Sequence, residues 1–340
     1  MRLVLSHITA YEFWLSSLST GKPEFGAGFL PNEAAGGSRP NSWRRLFDHA
    51  GGSKEDKHIL VGSPGSRTDS PCLSAHVASA DLPAGAILQV GRELGVVAPE
   101  LCFMQLAQTL SGVELIRAGN ELCSMYFGSL EGYAELPERE PICTRDSILE
   151  FLERAGGLRG ACKARKTARW ITDRSRSPRE STLAALLAAP SRLGGQQLPA
   201  FEANWAIPLD SDSALLTQRS YLEADICWPE KGLAIEYNSL LHEGEAPSQR
   251  DLEKITALQA MGMTVVPLSS WQFGSFERFS AVIRMVRNLL GLRNRPRPSV
   301  VLERELAHRR LLDVESRWRT HPKLDDCAWW KIIRPQVGRV

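Results

Sequence analysis

Acidic side chains on two short, strand-like runs are the residues of this chain best placed to do chemistry. The runs are Tyr221–Trp228 and Gly232–Ser239, and the break between them, Pro229-Glu230-Lys231-Gly232, is a turn signal. If they pair as an antiparallel hairpin centred between Glu230 and Lys231, Asp225 faces Glu236 and Glu223 faces Asn238. Side chains alternate along a strand, so all four point to one face. Directly opposed residues carry Cβ atoms about 4.5–5.5 Å apart. Two carboxylates at that spacing repel each other and weaken the sheet unless something offsets their charge. A hard divalent cation, Mg²⁺ or Mn²⁺, is suited to that role because it takes a few carboxylate oxygens while keeping water and phosphate. Asp225 and Glu236 are therefore the expected metal ligands. A salt bridge to Lys or Arg would also relieve the repulsion, as would protonation, and a register slip of one residue would separate the two acids.

Three further side chains belong to the same expected site. Glu180 follows Ser177 and Pro178 in a capping box that opens a helix, and from there it can also complete the acidic cluster. Lys254 shares a helix face with Arg250, four residues earlier, and is suited to hold an attacking water or to steady charge on a phosphorane. His242 is a candidate acid, although a lone histidine is more often a surface or capping residue. Upstream lies a basic run with Arg154, Arg159, Lys163, Arg165, Lys166, Arg169, Arg174, Arg176 and Arg179 against a single acid, Asp173. Such a run is either a solvated helix face or a phosphate-contacting one. Its approach to the acidic residues favours the second, and the expected nucleic-acid contacts are Lys163, Arg165, Lys166, Arg169 and Arg250. The motifs G-x-S-x-G, P-loop, H-E-x-x-H and dinucleotide G-x-G-x-x-G are missing from the sequence.

The elements that must position these residues can be read from periodicity and punctuation. Thr9 and Glu12 read as a capping box opening a short helix with Phe13, Trp14 and Leu18 on its apolar side. Residues 21–57 are rich in Gly, Pro, Ser and Asn and read as loop, with a short helix at Trp43–His49. Ile59–Gly62, Leu73–Ser79 and Ala86–Val97 read as strands, and Pro99 starts a helix carrying Leu101, Met104, Leu106 and Leu110. Ser177 to Pro190, about Ser248 to Met261 and Phe276–Leu290 read as helices, and Thr264–Leu268 as a short apolar strand. Arg293–Pro298 is a linker, and the last stretch reads as a charged helix and a tail.

The chain has 340 residues, a soft prior for two or more domains, with 43% hydrophobic and 24% charged residues. A net charge of +2 does not by itself announce a nucleic-acid partner. The seven cysteines are scattered, and without a C-x-x-C pair they argue against a disulfide framework or a cysteine-based zinc site and for a reducing cytoplasm. No run reaches the roughly 18 apolar residues that span a bilayer, so no membrane association is expected.

The run S-P-R-E-S, then Y-L-E-A-D-I-C-W-P-E-K-G-L-A-I-E-Y-N, then His242, then D-L-E-K-I-T-A-L-Q-A-M-G-M-T-V-V resembles a family of short-patch-repair-endonuclease-like (Vsr-like) domains of unknown function. That family lies in the PD-(D/E)XK nuclease superfamily. The resemblance covers roughly Ser177 to Phe273, with Asp225, Glu236, His242, Asp251, Lys254 and Gly262 at the matching positions. Asn238 departs from it, standing where the family has Asp and the wider superfamily Lys. An amide is a weak metal ligand and cannot act as a base, so Lys254 must substitute or activity is weak or absent. Upstream, G-V-V-A-P-E-L-C-F-M-Q-L-A looks like the core of AbiEi-type antitoxin and regulator proteins, which implies a winged-helix DNA-binding part near the N-terminus.

The resemblance implies an α/β chain. Its parts are an α+β N-terminal domain at 1–128, a linker and basic helical region at 129–160, a restriction-endonuclease-like domain at 161–292 (a mixed sheet flanked by helices) and a charged helical extension at 293–340. It implies a Mg²⁺-dependent DNA endonuclease, or else a non-catalytic DNA-binding regulator or antitoxin on a degenerate nuclease-like scaffold, with a toxin or methyltransferase as a further partner. A protein-interaction module whose acidic face takes a basic partner is the third reading.

Overall fold

A computed structural model of the chain describes residues 3–16, 57–67, 73–79, 81–91, 94–126, 138–238, 249–294 and 298–311. They divide into two compact units, the first ending at Ile171 and the second starting at Thr172. Trp43–His49, His242 and the Trp329–Trp330 tail lie outside the described residues. Among the described residues no helix is long and apolar enough to cross a membrane.

The first unit is built on a five-stranded mixed sheet. Its strands are β1 (Leu3–Leu5), β2 (Lys57–Val61), β3 (Leu73–Val77), β4 (Ile87–Gly91) and β5 (Leu94–Val97), in the order β3-β2-β1-β5-β4. β1 runs parallel to β5 and antiparallel to β2, while β2 and β3 are parallel. The run expected as one strand at Ala86–Val97 is therefore the β4–β5 hairpin. Helix α1 (His7–Leu15) follows β1 directly and packs on α2 (Pro99–Leu106). It starts two residues before Thr9, with Ser6 as its N-cap, so the capping box expected at Thr9 and Glu12 does not form. The cause is tertiary: the His7 N–H is taken by Gln105 Oε1 at 2.9 Å, and Thr9 Oγ1 accepts instead from the His58 N–H at 2.8 Å.

The apolar residues of α1 and the strands meet in one core. Trp14 is fully buried and donates its indole N–H to the Val97 carbonyl at 2.9 Å, which satisfies the one polar atom of a large apolar side chain. Helix α3 (Gly112–Leu122) opens on a complete capping box: Ser111 Oγ accepts from the Glu114 N–H at 3.4 Å, and Glu114 accepts from the Ser111 N–H at 2.9 Å. Ser111→Ala removes one of these two bonds and is expected to cost the first unit about 1 kcal/mol in chemical denaturation. An unchanged midpoint would show that the Glu114 half of the box suffices.

Two more helices, α4 (Arg145–Arg154) and α5 (Ala161–Ala168), complete this unit. α4 packs on α2, and α5 packs on α3 and α4. The break at 171 thus falls later than the expected boundary at 161, and the basic helix α5 belongs to the first unit. Its small apolar residues explain this. Ala161, Ala164 and Ala168 face the core and are fully buried, while the basic side chains lie on the other sides.

The second unit carries a four-stranded sheet, β6-β7-β8-β9, formed by Glu202–Pro208, Tyr221–Trp228, Leu233–Asn238 and Thr264–Ser269. β7 is antiparallel to both β6 and β8, and β9 runs parallel to β8. α6 (Pro178–Ala188) precedes the sheet, α7 (Ser211–Thr217) links β6 to β7, and α8 (Gln249–Ala260) makes the crossover from β8 to β9. A parallel return of this kind needs such a connecting helix.

After β9 come α9 (Ser270–Gly274), α10 (Phe276–Leu289) and α11 (Ser299–Leu311). α10 buries Phe279, Val282, Ile283 and Val286, which are spaced as one face of a helix. α11, expected as part of a separate extension, is bound into the second unit. Its Glu305 is fully buried and accepts from Gln196 Nε2 at 2.7 Å, and its Arg309 guanidinium lies 4.6 Å from the Phe279 ring centre.

Candidate acidic site

The β7–β8 hairpin has the register that the turn implied. Ile226 pairs with Ile235, Cys227 with Ala234 and Trp228 with Leu233. Asp225 and Glu236 lie just beyond the Ile226–Ile235 end of this ladder. The turn itself is a single 3₁₀ turn at Pro229–Lys231, closed by Gly232 in the left-handed region at φ 55°. Gly232 accepts that conformation without the Cβ penalty of other residues.

Around this pair the second unit gathers two more charged groups. Lys254, on the first turns of α8, donates its ammonium to Glu236 Oε2 and stands 3.9 Å from Asp225 Oδ1. The Tyr237 N–H donates to Asp225 Oδ2 at 2.7 Å. Side-chain exposures of 18% for Asp225, 11% for Glu236 and 24% for Lys254 leave the cluster mostly buried but in reach of solvent. Glu180 comes from the start of α6, close enough for its charge and that of Asp225 to act on each other.

Three acids share a half-buried space with one lysine, and the electrostatics follow from that. Burial, reinforced by the neighbouring Asp225 charge, pushes Glu236 up to about 8, with Lys254 opposing. The same two causes raise Glu180 to about 7. Burial raises Asp225 as well, against the pull of Lys254 and the Tyr237 N–H. Burial pulls Lys254 down, but the Asp225 and Glu236 carboxylates outweigh it and hold the ammonium above its ordinary pKa. All three acids ionised together would carry more negative charge than one ammonium offsets, and the raised pKa values of Glu180 and Glu236 are the consequence.

The residues fit a hard divalent cation. Asp225 and Glu236 supply carboxylate oxygens, and Glu236 Oε1 is buried with no hydrogen-bond partner. A buried, unpartnered carboxylate oxygen is costly unless something positive meets it.

Glu180 is differently placed. Its Oε2 accepts from the Arg176 N–H and from Asn204 Nδ2, both at 2.8 Å, and its Oε1 accepts from the Ser177 hydroxyl at 2.9 Å. Three donors fix it as a cap and a hub joining α6 to β6. Asn238 donates from Nδ2 to Asp251 Oδ2 at 2.9 Å, which ties the end of β8 to α8. Glu223, expected on the same face, is held by a two-pronged contact with the Arg176 guanidinium, one prong at 2.9 Å. Arg250 is exposed on α8.

The basic residues of α5 are in the other unit. Lys163 donates to the Leu110 carbonyl, and Arg165 donates to the Leu152 carbonyl at 2.7 Å, so both serve local structure there. Lys166 and Arg169 are exposed. Compared with family models, with characterised proteins and with solved structures, the chain matches none.

Sequence reading missed two participants. Asn204 stands in a strand at φ 47°, and its side chain also donates to the Arg174 carbonyl at 2.9 Å; no spacing rule marks it. The other is a histidine cluster in the first unit. Among the described residues it is the group of metal-capable side chains whose three ligand atoms, from His7, His58 and His76, all lie within 4.8 Å of one another. Burial, with the charges of the other two histidines and of Arg159, lowers His7 to about 3. Burial, with His58 and Arg67, lowers His76 to about 4. Seven histidines occur in the chain, and these three are too far apart in sequence to read as a motif.

Proposed function

We propose that the second unit is a Mg²⁺-dependent endonuclease domain acting on DNA, of the PD-(D/E)XK kind. The observation that carries this reading is the convergence of Asp225, Glu236 and Lys254 from β7, β8 and α8. The element order lends further support: a helix, three antiparallel strands, a crossover helix and a parallel fourth strand fit the resemblance seen in the sequence.

In this reading Asp225 and Glu236 hold the ion. When bound, the ion supplies Lewis-acid stabilisation of phosphate charge and a more acidic water. With Asn238 at the position of the superfamily lysine, Lys254 substitutes for it from α8, where its ammonium would face the phosphate oxygens as they gain charge. Asn238 positions α8 through Asp251, and so positions Lys254 one helical turn on. Glu180 holds Asn204 and the start of α6 in place, and its raised pKa leaves it able to carry a proton near neutrality.

The test is incubation of supercoiled plasmid with Mg²⁺ or Mn²⁺, beside an Asp225→Ala control. Nicking by the wild type and none by the variant is expected. Equal nicking by both proteins, or by neither, counts against catalysis.

A second reading has its own observation. Lys254 is already bonded to Glu236 and Asn238 to Asp251, so internal contacts take up these two side chains, as in a scaffold for a non-catalytic DNA-binding regulator or antitoxin. That reading predicts DNA binding that survives both Asp225→Ala and EDTA, with no cleavage under any metal.

A further inference from the structure

We propose that His7, His58 and His76 form a binding site for a divalent transition-metal ion, with Zn²⁺ as the first candidate. The site lies wholly in the first unit and is independent of the nuclease reading.

The three rings come from three places that the sheet brings together. His7 opens α1 just after β1, His58 lies on β2 and His76 on β3; in the β2–β3 register His58 pairs with Ser74 and His76 with Leu60, so the two rings stand diagonally on one face of the sheet. His58 Nδ1 and His76 Nε2 approach to 2.8 Å. His7 stacks on His76 with ring centres 3.7 Å apart. Three imidazole nitrogens gathered this closely are a donor set that suits zinc, nickel, copper or iron, whereas Mg²⁺ prefers oxygen.

Two further observations point to a ligand. The first is the backbone at His7, which sits in the left-handed region at φ 51°. It is held there by Gln105 on its N–H at 2.9 Å and by the Cys102 thiol on its carbonyl at 3.4 Å. A non-glycine residue in that region is costly and tends to mark a functional position. The second is access. His7 and His76 line an open cleft of about 200 Å³, together with Arg67, Gln105 and Arg159. An ion can reach the rings through this cleft. The Ser6 hydroxyl, 3.1 Å from His7 Nδ1, is the kind of outer partner that fixes a ligand ring's orientation.

The experiment uses the full chain, stripped with chelator and titrated with Zn²⁺ and, for its spectrum, with Co²⁺. One equivalent of Zn²⁺ per chain is expected, with a rise in melting temperature and a Co²⁺ absorption band of nitrogen-ligand type. His76→Gln, on the edge strand β3, is expected to weaken Zn²⁺ binding at least about tenfold, since even outer-partner changes cost metal sites that much. A second measurement does not depend on any variant folding. Zn²⁺ should protect His7, His58 and His76, and no other histidine, from diethyl pyrocarbonate as mapped by mass spectrometry. No stoichiometric binding, or binding without protection of these three rings, overturns the proposal, as does a folded His76→Gln protein that binds Zn²⁺ as wild type does.

Discussion

Glu236→Gln is expected to lower Mg²⁺-dependent plasmid cleavage on the order of 10³-fold while making the second unit harder to unfold. Loss of activity follows because an amide is a poor ligand for a hard cation, and several kcal/mol of charge stabilisation go with the ion. Gain of stability follows from what the site costs when empty. Glu236 titrates near 8 in the folded chain against an ordinary 4.5, so between those values the folded state holds the extra proton and loses stability as pH rises. Glutamine has no proton to lose. The advantage of the variant should therefore be nil near pH 4, grow through the interval and reach about 1–3 kcal/mol at pH 8, less than the shift alone implies because Lys254 loses a partner. Denaturant titrations at several pH values measure it. A variant less stable than wild type at pH 8 would show that the lysine contact outweighs the repulsion. Saturating Mg²⁺ should reverse the order, since an ion that binds only the folded wild type at a hundred times its Kd adds about 2.7 kcal/mol.

Lys254→Met is the complementary case. It leaves Glu236 without its ammonium partner and Asp225 with only the more distant Arg176 charge, and breaking a buried pair in this way typically costs about 3–5 kcal/mol. The loss should be greatest at pH 8, where the acids are most ionised, and should shrink towards pH 4.5 as their protonation removes the need for a partner. Added Mg²⁺ should restore more stability to this variant than to wild type, because the ion takes over the role of the ammonium. A loss independent of pH would instead assign the lysine to packing through its aliphatic stem.

Much of this site was readable because strand pairing obeys a short-range rule. One turn, Pro229 to Gly232, fixes the hairpin register and with it the confrontation of Asp225 and Glu236. Lys254 was likewise readable, because α8 is a regular helix whose face is set by its period. β6 was not readable. Its burial does not alternate, since Asn204 adopts φ 47° in the middle of the strand and breaks the period of two. β1 is only three residues long and carries no pattern at all. The histidine cluster depends on the order β3-β2-β1, a long-range pairing that nothing local encodes. The boundary at 171 escaped for a related reason: the alanines that bind α5 to the first unit are less conspicuous in sequence than its charges.

The last helix of the second unit has a bearing on how the chain matures on the ribosome. Glu305 supplies the partner of a glutamine made 109 positions earlier, and Arg309 covers the Phe279 ring. At ordinary elongation speeds that glutamine waits roughly 5–20 s for its acid to be synthesised. Thr172 onward therefore cannot reach its finished state until Glu305 has emerged, whereas the five strands of the first sheet, all within residues 3–97, can pair early. Nascent chains stalled before Glu305 should resist protease in their N-terminal half and be cut readily in the other.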